Sequence, residues 1–139
     1  MPKVGMKTPL HGVTPDRLWQ LIGGFNALHD WHPAIEKTEL EEGGQVRRLS
    51  LAGGGTIVER LVSSDQGDRI YTYSIENSPL PVANYTATMR VHEGDEGHAE
   101  VEWSSEFEAS GASENDAVAT IRGIYQAGFD NLKKMFGVS

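Results

Sequence analysis

Two stretches in the second half of the chain alternate apolar and polar positions. Over 83–92, Tyr85, Ala87, Met89 and Val91 interleave with Asn84, Thr86, Thr88, Arg90 and His92. Over 98–108, Val101, Trp103, Ser105 and Phe107 interleave with Glu100, Glu102, Ser104, Glu106 and Glu108. A period of two predicts strands with one buried and one solvated face. Residues 69–77 carry Ile70, Tyr71, Tyr73 and Ile75, types that suit a pleated surface. Further strands are predicted over 3–10, 34–42, 45–52 and 56–64. The turns between them fall at Gly43-Gly44, at Gly53-Gly54-Gly55 and near Asp65-Gln66-Gly67-Asp68. Turns this short predict antiparallel neighbours.

Helical patterning interrupts the strands at two places. Thr14 can cap a helix, Pro15 suits its first position, and Asp16 suits its positive end. Leu18, Trp19, Leu21 and Ile22 give that helix an apolar side, and Gly23-Gly24 ends it. A second short piece is predicted from Phe25 to Trp31, with Pro33 barring continuation. The last helix spans about Ser113 to Phe136, with Asp116 three residues after its cap. Its apolar stripe reads Ile121, Ile124, Gly128, Leu132 and Met135. The order predicted is strand, two short helices, six strands, long helix: an α+β fold.

Composition narrows the function more than the fold. The length of 139 residues fits one domain, 1–139. With no cysteine, disulfides, thiolate catalysis and cysteine-bound metals are excluded. A formal charge of -8 disfavours nucleic acid and anionic membrane surfaces. The first residues have no apolar signal-peptide region, and no apolar run approaches the roughly 20 residues that span a bilayer. The chain reads as cytoplasmic. Gly53-Gly54-Gly55 lacks the lysine and following helix of a phosphate loop, and no Ser-His-Asp order can be assembled. No cofactor is called for.

The element order resembles the helix-grip fold of the START/Bet v 1-like (SRPBCC) superfamily, including its bacterial polyketide cyclase/dehydrase-like branch. The strings Leu18-Trp19-Gln20-Leu21-Ile22, Asp30-Trp31-His32-Pro33 and Val101-Glu102-Trp103 carry the likeness. A similarity to plant abscisic-acid receptors runs through Glu59-Arg60-Leu61, Tyr73-Ser74-Ile75, Asn84-Tyr85, Val91-His92-Glu93 and Asn131-Leu132. The resemblance implies a curved seven-stranded antiparallel sheet wrapped around the last helix, with a cavity between them. It implies that His32, Glu59, Tyr73, Ile75, Tyr85, Ala87, Gly123, Ala127 and Asn131 face a ligand. The glycine run 53–55 and the loop 78–83 match the rim. The receptors' gate string and latch pair are absent, so abscisic acid recognition is not implied.

The residues themselves leave alternatives open. Gly123, Ala127 and Gly128 either allow close packing against the sheet or make room for a ligand. If Glu59 shares a face with Ile57 and Leu61 it is buried, with a raised pKa suited to acid-base work; in the other register it is solvated. His32 is a candidate polar anchor or proton carrier. His29, Asp30 and His32 have metal-ligand chemistry but no distant partner, so no metal site is assigned. Trp31 and Trp103, with the tyrosines, are either core or pocket lining.

Three functions follow. The first is binding of a hydrophobic or amphipathic small molecule, such as a lipid, polyketide or other cyclic metabolite. The second is a cyclase or dehydratase-type enzyme using His32 and Glu59 as acid-base groups. The third is a protein-interaction module built on the 78–83 loop. An exposed sheet edge or that loop also offers a surface for a homodimer.

Overall fold

The elements follow in the predicted order in a computed structural model that describes residues 2–138. Strand β1 (Lys3–Leu10) leads into helices α1 (Pro15–Ile22) and α2 (Leu28–Trp31). Strands β2 (Ile35–Glu41), β3 (Val46–Leu51), β4 (Thr56–Asp65) and β5 (Ile70–Asn77) come next. Strands β6 (Val82–Glu93) and β7 (Ala99–Ala109) then lead to the long helix α3 (Glu114–Phe136). All pairings are antiparallel, in the order β1-β7-β6-β5-β4-β3-β2. Consecutive strands therefore pair as a meander, and β1 closes onto β7 with Met6 opposite Trp103. This is the helix-grip arrangement.

Helix ends form where the side chains dictate. Thr14 Oγ1 accepts the Arg17 N–H at 3.2 Å, and Pro15 begins α1. Ser113 Oγ accepts the Asp116 N–H at 3.1 Å at the start of α3. Gly137 ends α3 at φ 69°, a left-handed cap that glycine adopts without strain. Helix α2 is shorter than predicted. Residues 25–27 belong to a turn closed by the Ala27 N–H on the Gly24 carbonyl.

The concave face buries Tyr71 and Tyr73 of β5, Tyr85, Ala87, Met89 and Val91 of β6, and Val101, Trp103 and Phe107 of β7. Helix α3 lays Ala117, Ile121, Tyr125, Gly128, Phe129 and Leu132 against them. That stripe differs from the predicted one. Steps of three and four from Ile121 lead through Tyr125, Gly128 and Leu132 to Phe136, and Met135 falls beside it, 48% exposed. Four register shifts interrupt the strand pairings, between Ile35 and Lys37, Val58 and Glu59, Leu61 and Ser63, and Ala83 and Thr86, and the last two leave a clear mark on the strand faces. One extra residue of β4, exposed Val62, sits between the pairs Leu61–Tyr73 and Ser63–Thr72. The other shifts β6 against β7 between Ala83 and Thr86, where Asn84 takes φ 54°. Beyond it Tyr85 points inward.

Candidate ligand cavity

A cavity of about 220 Å3 lies between the sheet and α3. Ile121 and Ile124 of α3 cover one side, and Leu49, Ile57, Ile75 and Trp103 of the sheet line the other. Ala52 and Leu80 come from the two rim loops. In the first of these, Gly53, Gly54 and Gly55 have φ of 88°, 102° and 102°, a conformation that side-chain-bearing residues rarely adopt. An ideal Cβ on Gly55 would lie 3.9 Å from Pro79, so the two loops face each other across the mouth.

Among this apolar surface one end is polar. Glu59 of β4 and Arg47 of β3 are directly opposed across the hairpin, and both are buried. Arg47 Nε donates to Glu59 Oε1 at 2.8 Å, and Nη2 lies 2.7 Å from the same oxygen. Arg47 Nη1 donates to the Phe25 carbonyl, and the guanidinium lies over the rings of Phe25 and Tyr73, 4.3 and 4.9 Å from their centroids. Burial pushes the Glu59 carboxyl above its usual range, with Arg47 pulling against that shift. Burial is the largest single influence on Arg47 and opposes its charge, but Glu59 together with Tyr71 and Tyr73 outweighs it, and Arg47 is more basic than usual.

Beside the pair runs a chain of hydroxyls. Trp103 Nε1 donates to Tyr73 Oη at 2.9 Å. Tyr73 and Tyr85 hydroxyls lie 3.4 Å apart, and Tyr85 is hydrogen-bonded to Tyr125. Burial raises the pKa of all three tyrosines, and the Glu59 charge raises Tyr73 further. They are hydroxyls, not phenolates, at any working pH. Trp103 stacks on Tyr125 with centroids 4.2 Å apart, which holds the chain under α3.

His32 also lines the cavity, but both ring nitrogens are engaged. Nε2 bonds the Ile124 carbonyl of α3 at 2.8 Å, and Nδ1 accepts the Ala34 N–H at 3.2 Å. These partners require a neutral ring with its proton on Nε2. Burial holds the imidazole below its usual value, and the Ile124 carbonyl works the other way. His32 thus pins α3 to the start of the sheet. His29 faces outward instead, within 3.2 Å of Asp30 and 2.9 Å of Thr38 Oγ1, so the two histidines do not converge. Among the described residues no cluster of three or more potential ligands is placed to hold a metal.

Of the residues singled out from the sequence, His32, Glu59, Tyr73, Ile75, Tyr85 and Trp103 line this cavity. Trp31, Ala87, Gly123, Ala127 and Asn131 lie outside it. Trp31 is buried against Trp103, with centroids 5.6 Å apart, under Gly128. Ala87 is buried in the sheet between Tyr73 of β5 and Ser105 of β7. Gly123 is exposed with open space where a Cβ would point. Ala127, half-buried, is also off the lined side. Asn131 donates to the Trp31 carbonyl at 2.7 Å and so closes the end of α2. The Gly128 backbone takes the close-packing role: a Cβ there would come within 2.9 Å of Trp31 and 3.0 Å of His32.

Two polar residues of the site escaped sequence reading, Arg47 and Tyr125. Strand parity places Arg47 with Leu49 and Leu51, and a hairpin folded about Gly53 sets it opposite Glu59. That pairing was the available signal. Tyr125 lies four beyond Ile121, but a stripe through Ile124 fits the pattern equally well, so only packing singles it out.

Residues 1–137 match the family model described as polyketide cyclase / dehydrase and lipid transport. The chain belongs to this family. Among solved structures it is similar to the protein XoxI from Bacillus cereus, with 43% identity, a TM-score of 0.94, and coverage of 98% of this chain and 96% of that one. Two family-like folds are more distant. One is Ara h 8.0201, with 16% identity, a TM-score of 0.75 and 96% coverage of each chain. The other is the ZhuI aromatase/cyclase from Streptomyces sp. R1128, with 17% identity, a TM-score of 0.73, and coverage of 94% of this chain and 87% of that one. These two show the shared fold alone. No curated protein matches the chain. No helix among the described residues is long and apolar enough to cross a membrane.

Proposed function

We propose that this member of the polyketide cyclase / dehydrase and lipid transport family binds a hydrophobic or amphipathic small molecule between its sheet and α3. One observation carries the reading: a largely apolar cavity closed by α3, with its few polar groups gathered at one end. Such a division is what a site needs to gain affinity from apolar burial and orientation from a few hydrogen bonds. The family description, which includes lipid transport, supports the same class. A cytoplasmic setting fits a chain without cysteine.

An enzyme of cyclase or dehydratase type is the second reading, favoured by Glu59 at the cavity wall and by the family description. The proton-transfer pair His32 and Glu59 is weakened as a mechanism because both His32 ring nitrogens are held by the main chain, which leaves that member no lone pair for a substrate proton. A general base needs a free lone pair within reach of substrate. Binding is therefore the better-supported function. The interaction module built on the 78–83 loop has less support, because Leu80 of that loop contributes to the cavity.

Native mass spectrometry of protein purified from its own host tests the proposal. A co-purifying molecule that dissociates on activation and is absent from an Ile57→Trp variant is the expected result. A wild-type protein that carries no molecule and takes up none from a host lipid and metabolite extract would overturn it.

A further inference from the structure

The polar end of the cavity has an unspent donor and an unspent acceptor. The three hydroxyls of Tyr73, Tyr85 and Tyr125 bring three protons, and two hydroxyl-to-hydroxyl links use two of them. One proton is left over. Each link can run either way; in the arrangement where Tyr125 donates to Tyr85 and Tyr85 donates to Tyr73, which Trp103 also donates to, Tyr73 keeps a proton for the cavity it lines. The acceptor is on Glu59. Arg47 Nε donates to Oε1 and Nη2 lies 2.7 Å from that same oxygen without a hydrogen bond, and among the described residues no hydrogen bond reaches Oε2. A buried polar group without a partner is costly, so both groups favour a ligand that satisfies them.

The volume limits what that ligand can be. A cavity of about 150 Å3 is enough for benzene. The 220 Å3 found here matches one ring with a small substituent. Charge limits its head group. Arg47 and Glu59 cancel as a pair, and Glu59 Oε2 would repel a ligand carboxylate. A carbonyl satisfies Tyr73 but not Glu59. A hydroxyl both accepts and donates, and so satisfies the two together.

Resting on the small-molecule-binding reading, we propose that the cavity selects a neutral, single-ring-sized molecule bearing one hydroxyl. That hydroxyl donates to Glu59 Oε2 and accepts from Tyr73. Glu59 and Tyr73 are then the residues that set specificity, and the apolar wall supplies most of the affinity.

Calorimetric titration of the wild-type protein with 4-ethylphenol, ethylbenzene and 4-ethylbenzoate tests this. The three probes share ring and ethyl group and differ at one position. The expected order is 4-ethylphenol tighter than ethylbenzene by about tenfold or more, the worth of one well-made hydrogen bond to a charged group, with 4-ethylbenzoate not binding. In Tyr73→Phe the preference for the phenol should shrink while ethylbenzene binding is kept. Ethylbenzene binding as tightly as the phenol, or the benzoate binding best, would overturn the hydroxyl assignment and leave the binding cavity standing. Failure of all three probes would overturn this single-ring assignment, while the small-molecule reading stands or falls on the native mass spectrometry. Because the probe series needs no variant, a Tyr73→Phe protein that does not fold leaves the comparison intact.

Discussion

Arg47 and Glu59 illustrate how one residue's burial depends on another. Neither side chain is tolerated alone in an apolar wall, and together they form a neutral unit. Replacing either by methionine leaves the other charge buried and unpaired, and should cost about 3–5 kcal/mol of stability. The double variant Arg47→Met/Glu59→Met should lose far less than the sum. Urea denaturation of the three variants measures this coupling, and additive losses would show that the pair is not a unit. His32 makes a second prediction at this scale. Its folded pKa lies below the usual 6.5, so the unfolded chain binds the proton more readily. The contribution of neutral His32 is complete above about pH 6.5 and is lost as the pH falls through the lowered folded value. Stability measured from pH 7.5 to 5 should decline more steeply in wild type than in His32→Gln. Parallel declines would assign the pH dependence to other groups.

Gly123 and Gly128 look alike in the sequence, as two helix-weakening residues in one apolar helix, yet α3 uses them differently. Gly123 is exposed and has open space around it, so Gly123→Ala should stabilise the protein by about 0.4–1 kcal/mol through helix propensity and a less flexible unfolded chain. Gly128 lies against Trp31, His32 and Trp103. There the same substitution should destabilise, because overpacking costs about 1–3 kcal/mol and outweighs a helix gain of about 1 kcal/mol. Opposite shifts in melting temperature are the expected outcome; equal shifts would mean that α3 does not approach the sheet this closely. What could be read from the sequence at this scale was the identity and order of the elements. Alternation over β6 and β7 was unmistakable because each pairs one buried with one solvated face. The bulges at Val62 and Asn84 were not legible, since an extra residue in one strand is defined only by its partner strand. The buried stripe of α3 was half legible. Its apolar residues were visible, but only packing decides that Tyr125 and Phe129 face the core and Met135 does not.

For the whole molecule, the enclosure was legible and its chemistry was not. Strand order, the glycine turns and the long terminal helix point to a sheet that closes around α3. The inward register of Glu59 is a three-dimensional fact, because a carboxylate is rarely buried without a partner and the partner lies on another strand. Once Arg47 is opposite it, burial becomes reasonable and the acid-base reading loses ground to one of orientation. The same geometry separates lining from support: Tyr73, Tyr85 and Trp103 do both, whereas Trp31 and Asn131 only hold α2 against α3. The most direct test of the central claim, that the space between sheet and α3 is a binding site, is a methyl NMR titration with ethylbenzene. Saturable shifts are expected at Ile57, Ile75, Ile121 and Ile124, which surround the cavity, and none at exposed Leu40 and Val62. Shifts at Leu40 and Val62, or no saturable shift at the four isoleucines, would contradict it.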